Sequence, residues 1–323
     1  MTRIERPIDA DRLEDEWLEA DGLGGFASGT AGTLRTRRYH ALLLAATHPP
    51  AGRVVLVNGV QAWLEADGAQ YPLTMQRYAP GVTAPDITSS LSGFDTDPWP
   101  TWRFEIDART VLIAEIFVAK SACETVLRWR LQRADDTGPR FMLQVRPLLS
   151  GRDYHALHYE NDAFDFTAAI DGDRVSWRPY GDRPAIHASS NGAYAHAPDW
   201  YRNFCYDRER ERGLDCIEDL ATPGIFTFDL AAQDAVLILG AGLASSTRAT
   251  ERAQELAHTE RARRATFASR LYRSADAYVV ARGKGRTIVA GFPWFTDWGR
   301  DTFIAMRGLL LAAQRYDEAE AIL

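Results

Sequence analysis

The sequence predicts a mainly β protein with a large β-sandwich over residues 1–245, a helical linker over 246–282 and the first helices of a helical domain over 283–323. Three observations carry this. Short apolar runs with alternating polarity recur from about Glu16 to Leu239, separated by turn residues. The texture then changes after Val236-Leu-Ile-Leu-Gly240 to a stretch rich in Ala, Arg and Glu. An aromatic segment and a run apolar on most faces close the chain. Many short strands at such spacing favour a sandwich, because two sheets can bury the inward residue of every pair.

In chain order, Gly22 to Gly32 reads as tight turns at a sheet edge; it lacks the Lys and the following helix of a phosphate loop. Arg53 to Val57 before Asn58-Gly59, and Gln61 to Glu65 before Asp67-Gly68, read as strands ending in hairpin turns. Further strands are expected over 101–107, 110–119, 124–132, 140–147, 164–170, 174–178 and 225–229. From Ser246 to Ala277 the absence of Pro and Gly, with Leu256, Phe267 and Leu271 set among charges, predicts one long, mostly solvated helix. Gly283-Lys-Gly285 breaks the pattern, and residues 287–290 suit a short strand. The apolar run from Asp301 predicts a buried helix, and Asp317 is the expected N-cap of a second one with Glu320 three residues on. That second helix has about two turns and no C-cap before Leu323, so the chain is expected to be the front part of a larger protein or one cut inside a helical domain.

Composition excludes several functions. The 323 residues are 46% hydrophobic and 25% charged, ordinary for a globular chain, and no apolar run approaches the roughly 20 residues that cross a bilayer. Charges interrupt Met1 to Glu19 throughout, so no secretory signal is readable and a cytoplasmic protein is expected. A net charge of −7 argues against nucleic acid and anionic membrane as partners. Cys123, Cys205 and Cys216 form no C-x-x-C pair and have no His at ligand spacing, which predicts reduced thiols, no metal and no cofactor. Neither a P-loop, G-x-G-x-x-G, H-E-x-x-H nor G-x-S-x-G is present.

The segment Gly291-Phe-Pro-Trp-Phe-Thr-Asp-Trp-Gly-Arg-Asp-Thr302 carries the chemistry. Trp294, Phe295 and Trp298 offer flat apolar faces for pyranose rings, and Asp297, Arg300 and Asp301 offer charge-assisted hydrogen bonds to hydroxyls. Trp294, Asp297, Trp298, Arg300 and Asp301 are therefore the candidate substrate-binding residues, with a carbohydrate as the expected partner, which the family resemblance below narrows to an α-glucan. Plainer readings stand beside them: either Asp can cap a helix, and either Trp can be a core residue. Arg37, Arg38, Tyr39 and His40 read as structural strand residues, and Tyr206 to Gly213 as a solvated loop or face from which Glu209 or Arg212 can reach a cleft.

Four segments together resemble the glycogen debranching enzymes of the bacterial and archaeal type. They are Glu16-Trp-Leu-Glu-Ala-Asp-Gly-Leu-Gly-Gly-Phe-Ala-Ser-Gly-Thr30; Arg37-Arg-Tyr-His-Ala-Leu-Leu-Leu-Ala45 followed by Pro49-Pro50 and Arg53; Asn203 to Gly213 with Glu218-Asp219 and Pro223-Gly224; and the aromatic segment itself. The family often has Gly where this chain has Ala41. The resemblance implies a β-supersandwich joined by a linker helix to an (α/α)6 toroid, incomplete here, and cofactor-free, inverting hydrolysis of α-1,6-linked glucose at glycogen branch points. It also implies that Arg300 and Asp301 hold hydroxyls of a terminal glucose, as a related Arg-Asp pair does in glucoamylases. A glucoamylase or trehalase type of toroidal hydrolase, and a non-catalytic glucan-binding or scaffold module, are the rival readings.

An inverting glycosidase needs an acid and a base about 6.5–9.5 Å apart on opposite faces of the sugar. Were Asp297 and Asp301 both on a first helical turn, their Cβ atoms would lie only about 5–6 Å apart and point the same way. No catalytic residue is therefore assigned within the chain. The resemblance implies that the acid and base lie beyond Leu323, and the chain alone is therefore expected to be inactive.

Overall fold

A computed structural model describes residues 8, 12–135, 138–242 and 247–323. The expected domain boundary at 245/246 and the expected first residue of the linker helix lie outside the described residues. The first hairpin, β1 (Glu16–Ala20) and β2 (Phe26–Thr30), leads into β3 (Ala41–His48) and the long β4 (Ala51–Ala66). Four short strands follow: β5 (Ala69–Pro72), β6 (Gln76–Tyr78), β7 (Val82–Ala84) and β8 (Leu91–Asp95). Next come β9 (Thr101–Asp107), β10 (Thr110–Val118), β11 (Glu124–Arg133), β12 (Met142–Asp153), β13 (Ala168–Asp171), β14 (Arg174–Trp177) and β15 (Ile186–Ser190). Then β16 (Ala193–Cys205), helix α1 (Asp207–Glu211), β17 (Ile217–Asp229) and β18 (Ala235–Ala241) complete the sandwich.

Two antiparallel sheets result. One has ten strands, in the order β1-β2-β3-β4-β12-β17-β16-β6-β7 with β5 on β4; the other has eight, in the order β13-β14-β15-β18-β11-β10-β9-β8. Strands hold 48% of the residues and helices 16%, so the fold is mainly β. The inner faces of both sheets share one core, in which Trp17, Leu64, Val145 and Phe226 meet Trp102, Phe104, Leu127 and Leu237. Trp17 and Trp102 join the sheets edge to face, with ring centroids 5.7 Å apart.

The two turn signals have different fates. Asp67-Gly68 is a turn, with φ of 49° and 79°, whereas Asn58-Gly59 lies inside β4, which runs straight through it. Asn58 is buried and its amide donates to Glu218 Oε2 at 3.4 Å. A Cβ on Gly59 would stand 2.4 Å from the Arg35 guanidinium. The dipeptide makes room for buried polar groups rather than reversing the chain.

The linker is not one solvated helix. It is α2 (Ala249–Ala265) and α3 (Arg270–Ala277), separated by a break at 266–269. One stripe of α2 is buried, and Ala249, Ala253, Leu256 and Ala257 pack on Trp99, Phe117, Val126, Val236 and Ile238. Alanines at 249, 253 and 257 keep helical spacing but little hydrophobic signal, so the stripe was hidden among the charges.

After the linker, β19 (Val279–Arg282), β20 (Gly285–Gly291) and β21 (Phe295–Asp297) form a three-stranded sheet where one short strand was expected. Helix α4 (Gly299–Met306), a π-helical turn (Arg307–Leu311) and α5 (Tyr316–Glu320) pack on it through Val279, Ile288, Met306, Leu310 and Ala319. The expected buried helix is only half covered: Phe303, Ile304 and Leu311 are exposed. Asp317 lies inside the first turn of α5, whose N-cap is Arg315. These short helices do not close a toroid. No helix among the described residues is long and apolar enough to cross a membrane.

Candidate functional site

The aromatic segment lies against the outer face of the ten-stranded sheet. The backbone of this seam is held by one buried cation. Arg53 on β4 donates from Nε to the Gly24 carbonyl at 2.8 Å and from Nη1 to the Phe295 carbonyl at 2.9 Å and the Pro293 carbonyl at 3.3 Å. Its guanidinium also lies over the rings of Phe26, Phe292 and Tyr154, 5.2–5.7 Å from their centroids. Gly24 is required here: its φ is +101° and a Cβ would meet the Pro50 carbonyl at 2.6 Å. The Gly-rich turn, the Pro49-Pro50 corner and Arg53 thus form one device that seats residues 292–295.

Above the seam is an open cleft lined by Tyr39, Tyr154, His155, Arg212, Trp294, Phe295, Thr296 and Trp298. Tyr39 and Trp294 meet edge to face at 6.4 Å, and the Tyr154 hydroxyl donates to the Trp294 carbonyl at 3.1 Å. Arg37 lies over the Trp294 ring at 5.3 Å. Trp294 is partly buried, with its Nε1 enclosed and without a hydrogen bond, so its role is mixed: seam residue on one face, cleft wall on the other. Phe295 and Trp298 are 52% and 60% exposed.

The structure divides the candidate residues. Trp294 and Trp298 share the cleft, while Asp297, Arg300 and Asp301 do not line it. Asp297 ends β21 rather than starting a helix, and its Oδ2 pairs with Arg282 Nη1 at 2.9 Å with the side chain 13% exposed. Arg300 and Asp301 sit in the first turn of α4, where Arg300 is almost wholly in solvent and meets Asp301 at 3.8 Å. The i, i+4 helical relation of the two Asp residues therefore does not arise. Capping is ruled out for both as well, since the N-cap is Trp298 and no side chain caps the helix.

The opposite wall of the cleft rests on the sandwich. Glu218 is fully buried and accepts from Arg152 Nε, Arg152 Nη2 (3.2 Å), the Tyr206 hydroxyl and the His158 amide (3.1 Å). Arg152 Nη2 donates in turn to the Arg38 carbonyl at 2.6 Å, and Arg38 Nη1 donates to the His155 carbonyl at 2.7 Å. Glu209, expected on a solvated face, is fully buried beneath Arg38 (3.6 Å) and Arg212 (3.9 Å). Arg37 to His40 lie in the loop before β3 rather than in a strand, and His40 is buried with its Nε2 3.6 Å from Glu16.

Tyr154 and His155 carried no sequence expectation. One signal pointed to them: Arg152-Asp-Tyr-His155 repeats the Arg-x-Tyr-His pattern of Arg37-Arg-Tyr-His40, and the two tyrosines meet at 5.9 Å. On the other side of Trp294 is a second cleft, beside β1 and α3, lined by Glu19, Lys120, Arg263, Arg264 and Asp276 among others. Its charges are mutually engaged: Arg264 with Glu19, Arg263 with Asp276 at 2.9 Å, and Lys120 with Asp276 at 3.1 Å. That cleft is an ion-pair seam between the linker and the sheet edge. Among the described residues no group of three or more His, Cys, Asp or Glu is placed to hold a metal.

Comparison with known proteins gives two family matches. Residues 15–237 match the model described as glycogen debranching enzyme N terminal, and residues 273–323 match that described as amylo-alpha-1,6-glucosidase. No curated protein sequence matches the chain. Among solved structures, a bacterial glucoamylase complexed with acarbose aligns at 12% identity and a TM-score of 0.41, over 83% of this chain and 39% of that one.

Proposed function

The chain belongs to the glycogen debranching enzyme N-terminal family, and from that premise we propose that its aromatic cleft grips glucose units of a branched α-glucan as part of an α-1,6-glucosidase. The observation that carries this reading is the convergence of Trp294, Phe295 and Trp298 on one cleft with Tyr39 and Tyr154 of the sandwich. Pyranose rings present apolar C–H faces and equatorial hydroxyls, which stacked aromatics and a few polar tips match. In this reading Arg300 and Asp301, in the first turn of α4 just outside the cleft, take hydroxyls of a sugar that extends past Trp298, and Asp297 holds the end of β21 through Arg282.

This site binds without cutting. Hydrolysis with inversion requires two carboxylates across the scissile bond, and none of the residues lining the cleft is Asp or Glu. The experiment pairs glycogen affinity electrophoresis of the 323-residue protein with an assay for glucose release from a branched limit dextrin. Retarded migration, weakened roughly tenfold by Trp298→Ala, with no glucose released, is the expected result. Glucose release by the pure chain would refute the division of labour, and unchanged affinity in Trp298→Ala would refute the site. The absence of carboxylates from the cleft also favours a second reading, a purely glucan-binding module. Retention of full affinity after Trp298→Ala would move the case toward that module, with its site elsewhere on the sandwich.

A further inference from the structure

We propose that the sandwich supplies the polar half of this site, with His155 and Arg212 hydrogen-bonding the hydroxyls of an uncharged α-linked glucose unit whose ring lies against the aromatic wall. The inference rests on the reading of the cleft as a glucan site and adds the residues that recognise the sugar from the β domain.

His155 is exposed yet fixed. Its amide donates to Asp153 Oδ1 at 2.8 Å, and its carbonyl accepts from Arg38 at 2.7 Å. Its ring lies 3.8 Å from that of Tyr154, and its Nδ1 is 3.0 Å from the Tyr39 hydroxyl. One polar atom, Nε2, has no partner within the described residues. Partial burial holds the imidazole below its usual pKa, with Arg38 and Arg53 adding to the effect and Asp153 opposing it, so the ring is neutral near pH 7. A neutral ring pinned through Nδ1 presents either a donor or an acceptor at Nε2. A sugar hydroxyl serves as partner to both.

Arg212 closes α1 as its C-cap residue and is half exposed. Among the described residues its one ion-paired carboxylate is Glu209 at 3.9 Å, a loose pairing that leaves guanidinium donors facing the cleft. The fork of an Arg suits two adjacent oxygens, which neighbouring hydroxyls on a pyranose provide. Glu209 lies fully buried behind both Arg38 and Arg212 and offsets one of their two positive charges. The choice of an uncharged ligand rests on the aromatic wall, whose Trp294, Phe295 and Trp298 rings match the C–H face of a pyranose.

Exposed His and Arg side chains are ordinarily loosely held and lose entropy on binding. Here the Glu218–Arg152–Arg38 chain and Glu209 fix the backbone of one and brace the other. Buried charge spent under two surface residues is the arrangement of a preorganised recognition site.

The test is calorimetric titration of the full 323-residue chain with maltoheptaose, with glucose 1-phosphate as a competitor. His155→Ala and Arg212→Ala should each weaken binding roughly tenfold without altering the melting curve, and His155→Gln should recover part of the loss through its amide. If both alanine variants bind like the wild type while Trp298→Ala is weakened, the inference fails and the cleft reading survives. If Trp298→Ala also binds normally, or the wild type does not bind, both fail. Glucose 1-phosphate displacing maltoheptaose at lower concentration than glucose does, by an amount lost in Arg212→Ala, would overturn the assignment of an uncharged ligand.

Discussion

On the sandwich wall of the cleft, Glu218 and Glu209 are fully buried and each polar side chain at the surface is braced from beneath. On the facing wall Phe295 and Trp298 are 52% and 60% exposed, and beyond the cleft Arg300, Phe303 and Ile304 of α4 extend into solvent. The first wall is fixed by side-chain networks. The second is fixed by its backbone, through Arg53 to the Pro293 and Phe295 carbonyls and Tyr154 to the Trp294 carbonyl. For the proposed glucan site the difference teaches that geometry is set on the β side before ligand arrives, while the aromatic side offers surface with side chains free to adjust.

The strongest way to break this comparison is at Glu218. Glu218→Ala strands the Arg152 guanidinium, 3% exposed, without its counter-ion, and such a loss costs about 3–5 kcal/mol. Urea unfolding should show that drop, and because Arg152 and Arg38 connect Glu218 to His155, glucan affinity should fall with it at temperatures where the variant is folded. A cost below about 1 kcal/mol would mean the sandwich wall is no more rigidly built than its partner.

A second carboxylate sharpens the contrast. Asp21 is nearly as buried as Glu218 but has no bonded counter-ion among the described residues: it accepts the Leu23 amide at 2.7 Å in the turn whose Gly22 carbonyl accepts from Ala281 of β19. Burial raises its pKa to about 6, against the lowering effects of the Leu23 and Gly25 amides, Lys120 and Arg53. Because the folded pKa lies above the unfolded value of 3.8, the native state holds the proton more tightly between those values. Stability from this group is complete below about pH 4 and is lost as pH rises through about 6. Asp21→Asn keeps an acceptor for Leu23 without the charge. It should raise stability at pH 7.5 by about 1–3 kcal/mol and have less effect at pH 4. A variant less stable than wild type at pH 7.5 would show that the charge is neutralised after all.

These residues also show what the sequence made legible. Alternation located β4, β9 to β12, β14 and β17, and Asp67-Gly68 marked a real turn, because both are local signals. Asn58-Gly59 misled because what decides its conformation is Glu218, 160 residues away. The aromatic half of the cleft was readable, since Trp294, Phe295 and Trp298 are contiguous. Of the polar half only Arg212 was, as a residue able to reach a cleft; His155 was not, because Tyr39 and His155 meet across 116 residues and Tyr154 and Trp294 across 140. Glu209 looked solvated within a run of alternating charges, and only the packing of α1 against Arg38 buries it.

The smallest expected effect is at Arg300. Its side chain is 84% exposed and its one ion pair among the described residues, to Asp301, is long at 3.8 Å, so Arg300→Ala should change unfolding free energy by no more than about 0.5 kcal/mol. If Arg300 takes sugar hydroxyls beside Trp298, the same variant should still weaken maltoheptaose binding several-fold, less than Trp298→Ala does, because an exposed hydrogen bond is worth less than a covered ring face. A loss of affinity without a loss of stability is the behaviour of a wall that acquires its order from the ligand. A loss of stability of 1 kcal/mol or more would instead place Arg300 in a structural network like that of Glu218, and the two walls would no longer be different in kind.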